Sequence, residues 1–187
     1  MGCRMTASRL SAVRVQYAAV VAFAAVLPLG QAPAEIALGI GLAAWAFRIV
    51  RDRRAAALLS NPLSWLLALW FLAALASMAN SIDPAASLRG LQKLLKGFGL
   101  YLLVVDSVDS REALRGVVAG SLLGLSLVVG DGLWQWAAGR DLLYGHVPVN
   151  VLPTGKTILR LSAMFGHSAS LAIYLVSWAP LAIAAGL

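Results

Sequence analysis

Apolar runs separated by short polar punctuation define the chain from one end to the other. The first run spans about 15–30 and ends in PLGQAP, where two prolines and a glycine predict a tight turn. The second, about 35–50, reads EIALGIGLAAWAFRIV and is closed by RDRR. The third, about 62–79, opens with Pro62 behind Ser60 and Asn61, a placement suited to a first helical turn. It ends in NSIDPAAS, read as a helix stop and restart. The fourth covers about 88–105. The polar link DSVDSREALR leads to a fifth at about 116–137. The longer segment AGRDLLYGHVPVNVLPTGKTILR follows, and a sixth run starts near Leu161. Each run holds roughly 15–22 residues, close to the ~20 that cross a bilayer at 1.5 Å per residue. The pattern predicts an all-α, polytopic membrane protein of about six transmembrane helices, built as one integral-membrane domain over 1–187.

Composition agrees. Of 187 residues 60% are hydrophobic and 12% charged, with a mean hydropathy of +0.82. Soluble domains carry about twice that share of charge. A net charge of +7 and a pI near 10.3 would suit nucleic acid, but the cations sit in short segments beside apolar runs. That is the pattern of membrane orientation and anionic headgroups. The single Cys3 excludes an intramolecular disulfide and a cysteine zinc cluster. The basic and then apolar start resembles a signal peptide, but further apolar runs follow at once, so it is read as a first anchor. With a cytoplasmic N-terminus, the inner segments hold Arg4, Arg9, Arg14, Arg48, Arg51, Arg53, Arg54, Arg111 and Arg115. The outer ones hold only Arg89, Arg140, Lys156 and Arg160. Nine against four follows the positive-inside rule. The 138–160 segment then faces the periplasm of a bacterium.

The fourth run carries Arg89, Lys93 and Lys96 in its first half. At 100° per residue these lie within about 60° of one another and step inward over about 10 Å. A charge at the bilayer centre costs about 2.5–3.5 kcal/mol on insertion scales, so three demand a reason. Arg89 can sit among headgroups and Lys93 can snorkel. Lys96 lies two turns in, and Asp131 is the main intramembrane acid available to pair with it. The alternative is a cationic stripe lining a cleft for a phosphate or pyrophosphate. Lys156, Arg160 and His167 make a second cluster at the start of the last run, with Arg140 and His146 in the preceding segment. An arginine at Arg160 can clamp a phosphate with two parallel hydrogen bonds. Trp134, Trp136 and Tyr144 read as an interfacial aromatic belt.

Other motifs fall away. PTGKT echoes a phosphate-binding loop, but Asn150 stands where the earlier glycine is needed. Two histidines and scattered acids offer no metal-ligand spacing. The serines have no neighbouring His/Asp set that would activate a nucleophile.

SMANSIDPAASLRGLQKLLKGFGLYLL resembles the S-x-D-P-x-x-S and basic helix of the O-antigen ligase family, which includes O-antigen polymerases. GLWQWAAGRDLLYG and RLSAMFGHSASLAIYLVSWAPLAI are similar to its later stretch: a Q-x-x-x-G helix end, an outer loop, an arginine and G-x-F. The likeness covers about 60–187. It implies a metal- and cofactor-independent glycosyltransferase of the bacterial inner membrane. Its partners would be an undecaprenyl-pyrophosphate-linked glycan and lipid A–core or another glycan acceptor, on the periplasmic side. Lys93 or Lys96 would match the family's basic helix residue and Arg160 the arginine before G-x-F, both types holding the pyrophosphate. Arg89, Arg140, Lys156 and His167 would be secondary. The family usually has a Pro-Asn pair where this chain has Ser168 and Ala169 after His167. Family members have about a dozen helices and a later periplasmic loop with the proposed catalytic histidine, so this chain would be the N-terminal half. Competing readings are a polymerase of the same family, an anion transporter module and a non-catalytic membrane subunit.

Overall fold

The computed structural model describes residues 7–52, 61–151, 157–165 and 167–186. The expectations for Cys3, Arg4, Arg53, Arg54, Lys156 and the phosphate-loop-like run fall wholly or partly outside them. Six α-helices are described: α1 Ala7–Val26, α2 Gln31–Asp52, α3 Pro62–Ser77, α4 Pro84–Ser107, α5 Arg111–Ala138 and α6 Ser168–Gly186. Two three-residue strands, β1 Val149–Val151 and β2 Thr157–Leu159, pair antiparallel, with Asn150 opposite Ile158. The chain is therefore helical apart from this one short ladder among the described residues.

The helix ends follow the sequence punctuation. Leu27–Leu29 tightens into a 3-10 turn after α1, and Gly30 takes a φ of +132°, open to glycine and strained for other residues. Asn61 caps α3 by accepting the Leu63 N–H at 3.0 Å, with Pro62 in the first turn. Asp83 caps α4 in the same way through the Ala86 N–H, and the Ser81 and Ser87 hydroxyls close the connection at 2.6 Å. The S-x-D-P-x-x-S stretch is thus a built helix start. Gly139, at φ +74°, ends α5 and returns its N–H to the Gln135 carbonyl.

Four segments are long and apolar enough to cross a membrane: Ala12–Leu29, Gln31–Arg51, Pro62–Asn80 and Arg111–Ala138. This is the make-up of a membrane protein. The expectation of about six spans is met by four among the described residues. The fourth run fails because Arg89, Lys93 and Lys96 interrupt its apolarity. In the sixth, only Ser168–Trp178 counts, and it is shorter than a span. Its helix also starts later than Leu161. Residues 163–165 form a 3-10 turn first, and Ala163 adopts a left-handed φ of +46° that breaks helical continuity.

Contacts gather the chain into two compact units. The first comprises 1–20 and 38–111. Here Gly41 permits the close approach of α1, α2 and α4. A Cβ at that position would stand 2.7 Å from Leu103 Cδ2 and 3.2 Å from Ala19 Cβ. Leu103 itself is fully buried. Helix α3 packs on α4, where the buried Ser64 hydroxyl meets the Tyr101 hydroxyl at 3.3 Å. The rest of α3 is apolar on most sides, as a lipid-facing span requires.

The second unit comprises 21–37 and 112–187. Its core gathers Val128, Ala163, Met164 and Tyr174, with Leu27, Leu29, Phe165 and Trp178 packed around them. Helix α5 approaches α1 through Gly120 and Gly124. A Cβ there would come within 2.8 Å of the Val21 carbonyl oxygen and 2.9 Å of the Ala25 one. Backbone cannot yield as a side chain can, so this contact depends on the missing methyls. Gly120→Ala and Gly124→Ala should each destabilise the folded protein by about 1–3 kcal/mol. Gly130→Ala, on the same helix with nothing within 4 Å, should be neutral or slightly stabilising. Unfolding in mixed micelles of rising denaturing-detergent content reads the difference; equal behaviour of all three would remove the close-packing account.

Candidate functional site

Helix α4 lifts its cations to the surface. Arg89, Lys93 and Lys96 are all exposed side chains of the first unit. Beside them lies a cavity of about 340 Å³ lined by Leu67 and Trp70 of α3 and Lys93, Leu94, Gly97, Phe98 and Tyr101 of α4. Phe98 and Tyr101 stack nearly parallel, with ring centroids 6.5 Å apart. Gly97 leaves the wall open, since nothing stands within 4 Å of a Cβ there. An apolar aromatic cavity with one ammonium group in its wall suits an amphipathic anion: the stem of Lys93 adds to the apolar lining while its charge meets the head.

The same unit buries a polar network that the sequence did not reveal. Gln16 of α1 is fully buried. Its Nε2 donates to Asp106 Oδ2 at 3.0 Å and Ser107 Oγ at 2.8 Å, and its Oε1 accepts from Arg48 Nη1 at 2.6 Å. Arg48 also pairs with Asp106 at 3.2 Å. Arg48, counted above only as an orienting cation, is committed to an internal ion pair. Arg48 Nε remains buried without a hydrogen-bond partner, so the guanidinium is only partly satisfied. Arg48→Leu and Asp106→Leu should each destabilise by about 1–3 kcal/mol, the pair being partly exposed. The double variant should cost less than the two single effects together. A double-mutant cycle on detergent unfolding checks this, and strict additivity would deny the coupling.

In the second unit, the end of α5 organises the segment that follows. The Gln135 carboxamide is fully buried and uses both its ends. Oε1 accepts the N–H groups of Ser162 and Ala163, each at 2.9 Å, while Nε2 donates to the His146 carbonyl and to Ser162 Oγ. The bond to Ala163 holds that residue in its left-handed conformation. Asp131, one turn earlier, accepts the Leu142 N–H at 2.7 Å through Oδ1, while its buried Oδ2 has no hydrogen-bond partner. The acid expected to pair with the α4 cations is instead spent on main chain.

Asp141 is the centre of the turn. Its side chain is fully buried and receives four donors: the N–H groups of Tyr144, Gly145 and His146, and His146 Nδ1 at 2.7 Å. Tyr144 leans on the His146 ring at 5.6 Å and its hydroxyl donates to the Leu29 carbonyl. The sequence assigned Tyr144 to an aromatic belt; it also works as a tether, while Trp134 and Trp136 stay exposed. Arg160 is exposed, with its N–H on the Pro148 carbonyl at 2.8 Å. It is separated from α6 by Leu161–His167, so it stands in an extended segment and not at the helix start. His167 is exposed and its carbonyl accepts the Leu171 N–H in the first turn of α6. Arg140 is exposed beside Asp141, and Lys156 is among the residues not described.

The predicted cations thus divide: Arg89, Lys93 and Lys96 belong to one unit, Arg140, Arg160 and His167 to the other. The buried turn around Gln135 and Asp141 was not foreseen, although Asp141 and the glycine at 145, with φ +71°, form a local turn signal. No family model, curated protein or solved structure matches the chain.

Burial pushes the Asp141 carboxyl up, but the N–H groups of Tyr144, His146 and Gly145 and the charge of His146 outweigh it. Its pKa lies below the ordinary 3.8. A depressed acid contributes stability that is present above the ordinary carboxylate range and lost as pH falls through the lowered pKa. Amide exchange at Tyr144, Gly145 and His146 should therefore stay protected down through the ordinary carboxylate range and open only below it. Opening within that range would show that the carboxylate does not hold the turn.

Proposed function

We propose that this chain is part of an inner-membrane glycosyltransferase of the O-antigen ligase type. It would transfer a glycan from undecaprenyl pyrophosphate to lipid A–core or a related acceptor on the periplasmic face. The observation that carries this reading is the cavity against α4, where Trp70, Phe98 and Tyr101 surround the stem of Lys93 next to the S-x-D-P helix start. A polyprenyl pyrophosphate has the matching make-up, with an apolar chain and a compact anionic head. In this reading the N-terminus is cytoplasmic, α4 and α6 complete six crossings, and the first half of α4 lies towards the periplasm.

The chemistry needs no metal. Breaking the anomeric C–O bond leaves charge on the departing pyrophosphate, and fixed cations in a low-dielectric cleft stabilise it as it develops. Lys93 and Lys96 supply two such charges, and Arg160 a planar, two-pronged donor. Arg89, nearer water, contributes less. Charge-assisted contacts of this kind are worth about 1.5–3 kcal/mol each. Lys96→Met keeps the length and apolar stem while removing the charge. In the product of the complete gene, Lys96→Met and Arg160→Ala should each lower transfer about 10- to 100-fold, and Arg89→Ala less. The assay follows an undecaprenyl-pyrophosphate oligosaccharide onto lipid A–core in isolated membranes. Full transfer by a well-expressed Lys96→Met protein would reduce that lysine to a snorkelling residue. Cysteine labelling should find position 51 on the cytoplasmic side and 139–148 on the periplasmic side. The reverse result would overturn the orientation and the site with it.

A further inference from the structure

The Asp141–His146 pair is not needed to bind a pyrophosphate, and its geometry fits another task. Asp141 Oδ2 occupies Nδ1 of the imidazole at 2.7 Å, which makes that nitrogen the protonated one in the neutral ring. Nε2 is then the nitrogen with the free lone pair. The ring is 43% exposed although its carboxylate partner is fully buried. The residue is also fixed at both ends of its main chain: its N–H donates to Asp141, and its carbonyl accepts from the Asp141 N–H at 3.0 Å and from Gln135 Nε2. Tyr144 stands against one side of the ring. A histidine whose only task was to close the turn would not need this much fixing, since Asp141 already holds three main-chain donors there.

We propose that His146 is a proton acceptor for the hydroxyl of a sugar acceptor, with Asp141 as its orienting partner. This role rests on the glycosyl-transfer reading above and differs from what the family resemblance implies, which puts the base in a later loop. In the step, the acceptor oxygen forms its bond to the anomeric carbon and its proton passes to His146 Nε2. The anomeric C–O bond breaks, and its electron pair leaves with the pyrophosphate. The imidazolium, stabilised by the Asp141 carboxylate, then gives its proton to water. Asp141 and Tyr144 are the titratable groups against the ring among the described residues, with Arg140 and Arg160 the charged neighbours along the same segment.

His146→Gln keeps a polar side chain of similar reach and leaves Asp141 and its three main-chain bonds in place. In the transfer assay it should lower kcat about 10²- to 10³-fold, with KM changed less than about threefold. The acidic limb of the wild-type kcat profile between pH 5 and 8 should flatten. Unchanged proteolysis of the 139–148 segment shows that the turn survives. If the variant opens the turn, wild-type protein is treated with diethyl pyrocarbonate instead, which acylates an accessible neutral imidazole. Loss of transfer should then follow His146 modification, read by mass spectrometry, and reverse with hydroxylamine. Transfer within about threefold of wild type in the variant, or in fully modified protein, would reduce His146 to a brace of the turn while leaving the glycosyl-transfer reading intact. No transfer by wild-type protein would remove that reading and this role together.

Discussion

In an apolar helical protein every buried polar group must find its partner within the chain, because lipid offers none. The Gln135 carboxamide meets that demand with all four of its hydrogen-bonding positions engaged. Through one side chain the end of α5 fixes the turn around His146 and the left-handed step at Ala163. Ala163 and Met164 in turn lie in the core of the second unit with Val128 and Tyr174. Remove the carboxamide, and two main-chain N–H groups lose their partner in a buried place, at about 1–3 kcal/mol each. The positions of Arg160 and His146 depend on that single group.

Gln16 plays the corresponding part in the first unit, linking α1 to Arg48, Asp106 and Ser107. Glutamine suits both places for the same reason. It donates and accepts without carrying charge, so its burial costs far less than that of an ion. Around each glutamine sits a carboxylate, Asp106 or Asp141, that has its own cationic or main-chain partners. The apolar spans can therefore afford polar interiors where side chains or turns need fixing, while their small residues, Gly41, Gly120 and Gly124, bring the helices close.

The local features were legible in the sequence. Asn61 with Pro62 and Asp83 with Pro84 announce helix starts because a cap needs only neighbours two or three residues away. The apolar runs found the helices for the same reason. What could not be read is what needs a distant partner. Gln135 looks like an ordinary interfacial residue until Ser162 and Ala163 fold back onto it. Arg48 looks like one more orienting cation until Asp106 arrives. The delayed start of α6 was hidden as well, because LSAMF is apolar enough to pass for helix and only the bond from Ala163 to Gln135 turns it aside. The exposed stripe on α4 was visible from spacing, whereas its aromatic neighbour Trp70 comes from another helix.

The Gln16 network also sets an order on biogenesis. Gln16 and Asp106 stand 90 residues apart. At about 5–20 residues per second, a ribosome needs roughly 5–20 s to add the second after the first. For that interval α1 and α2 are already made, and Arg48 has no carboxylate at position 106 to meet. Its long side chain can reach the water interface while it waits. The first hairpin is therefore held loosely at the membrane surface until α4 emerges, and the first unit closes as a late event of synthesis.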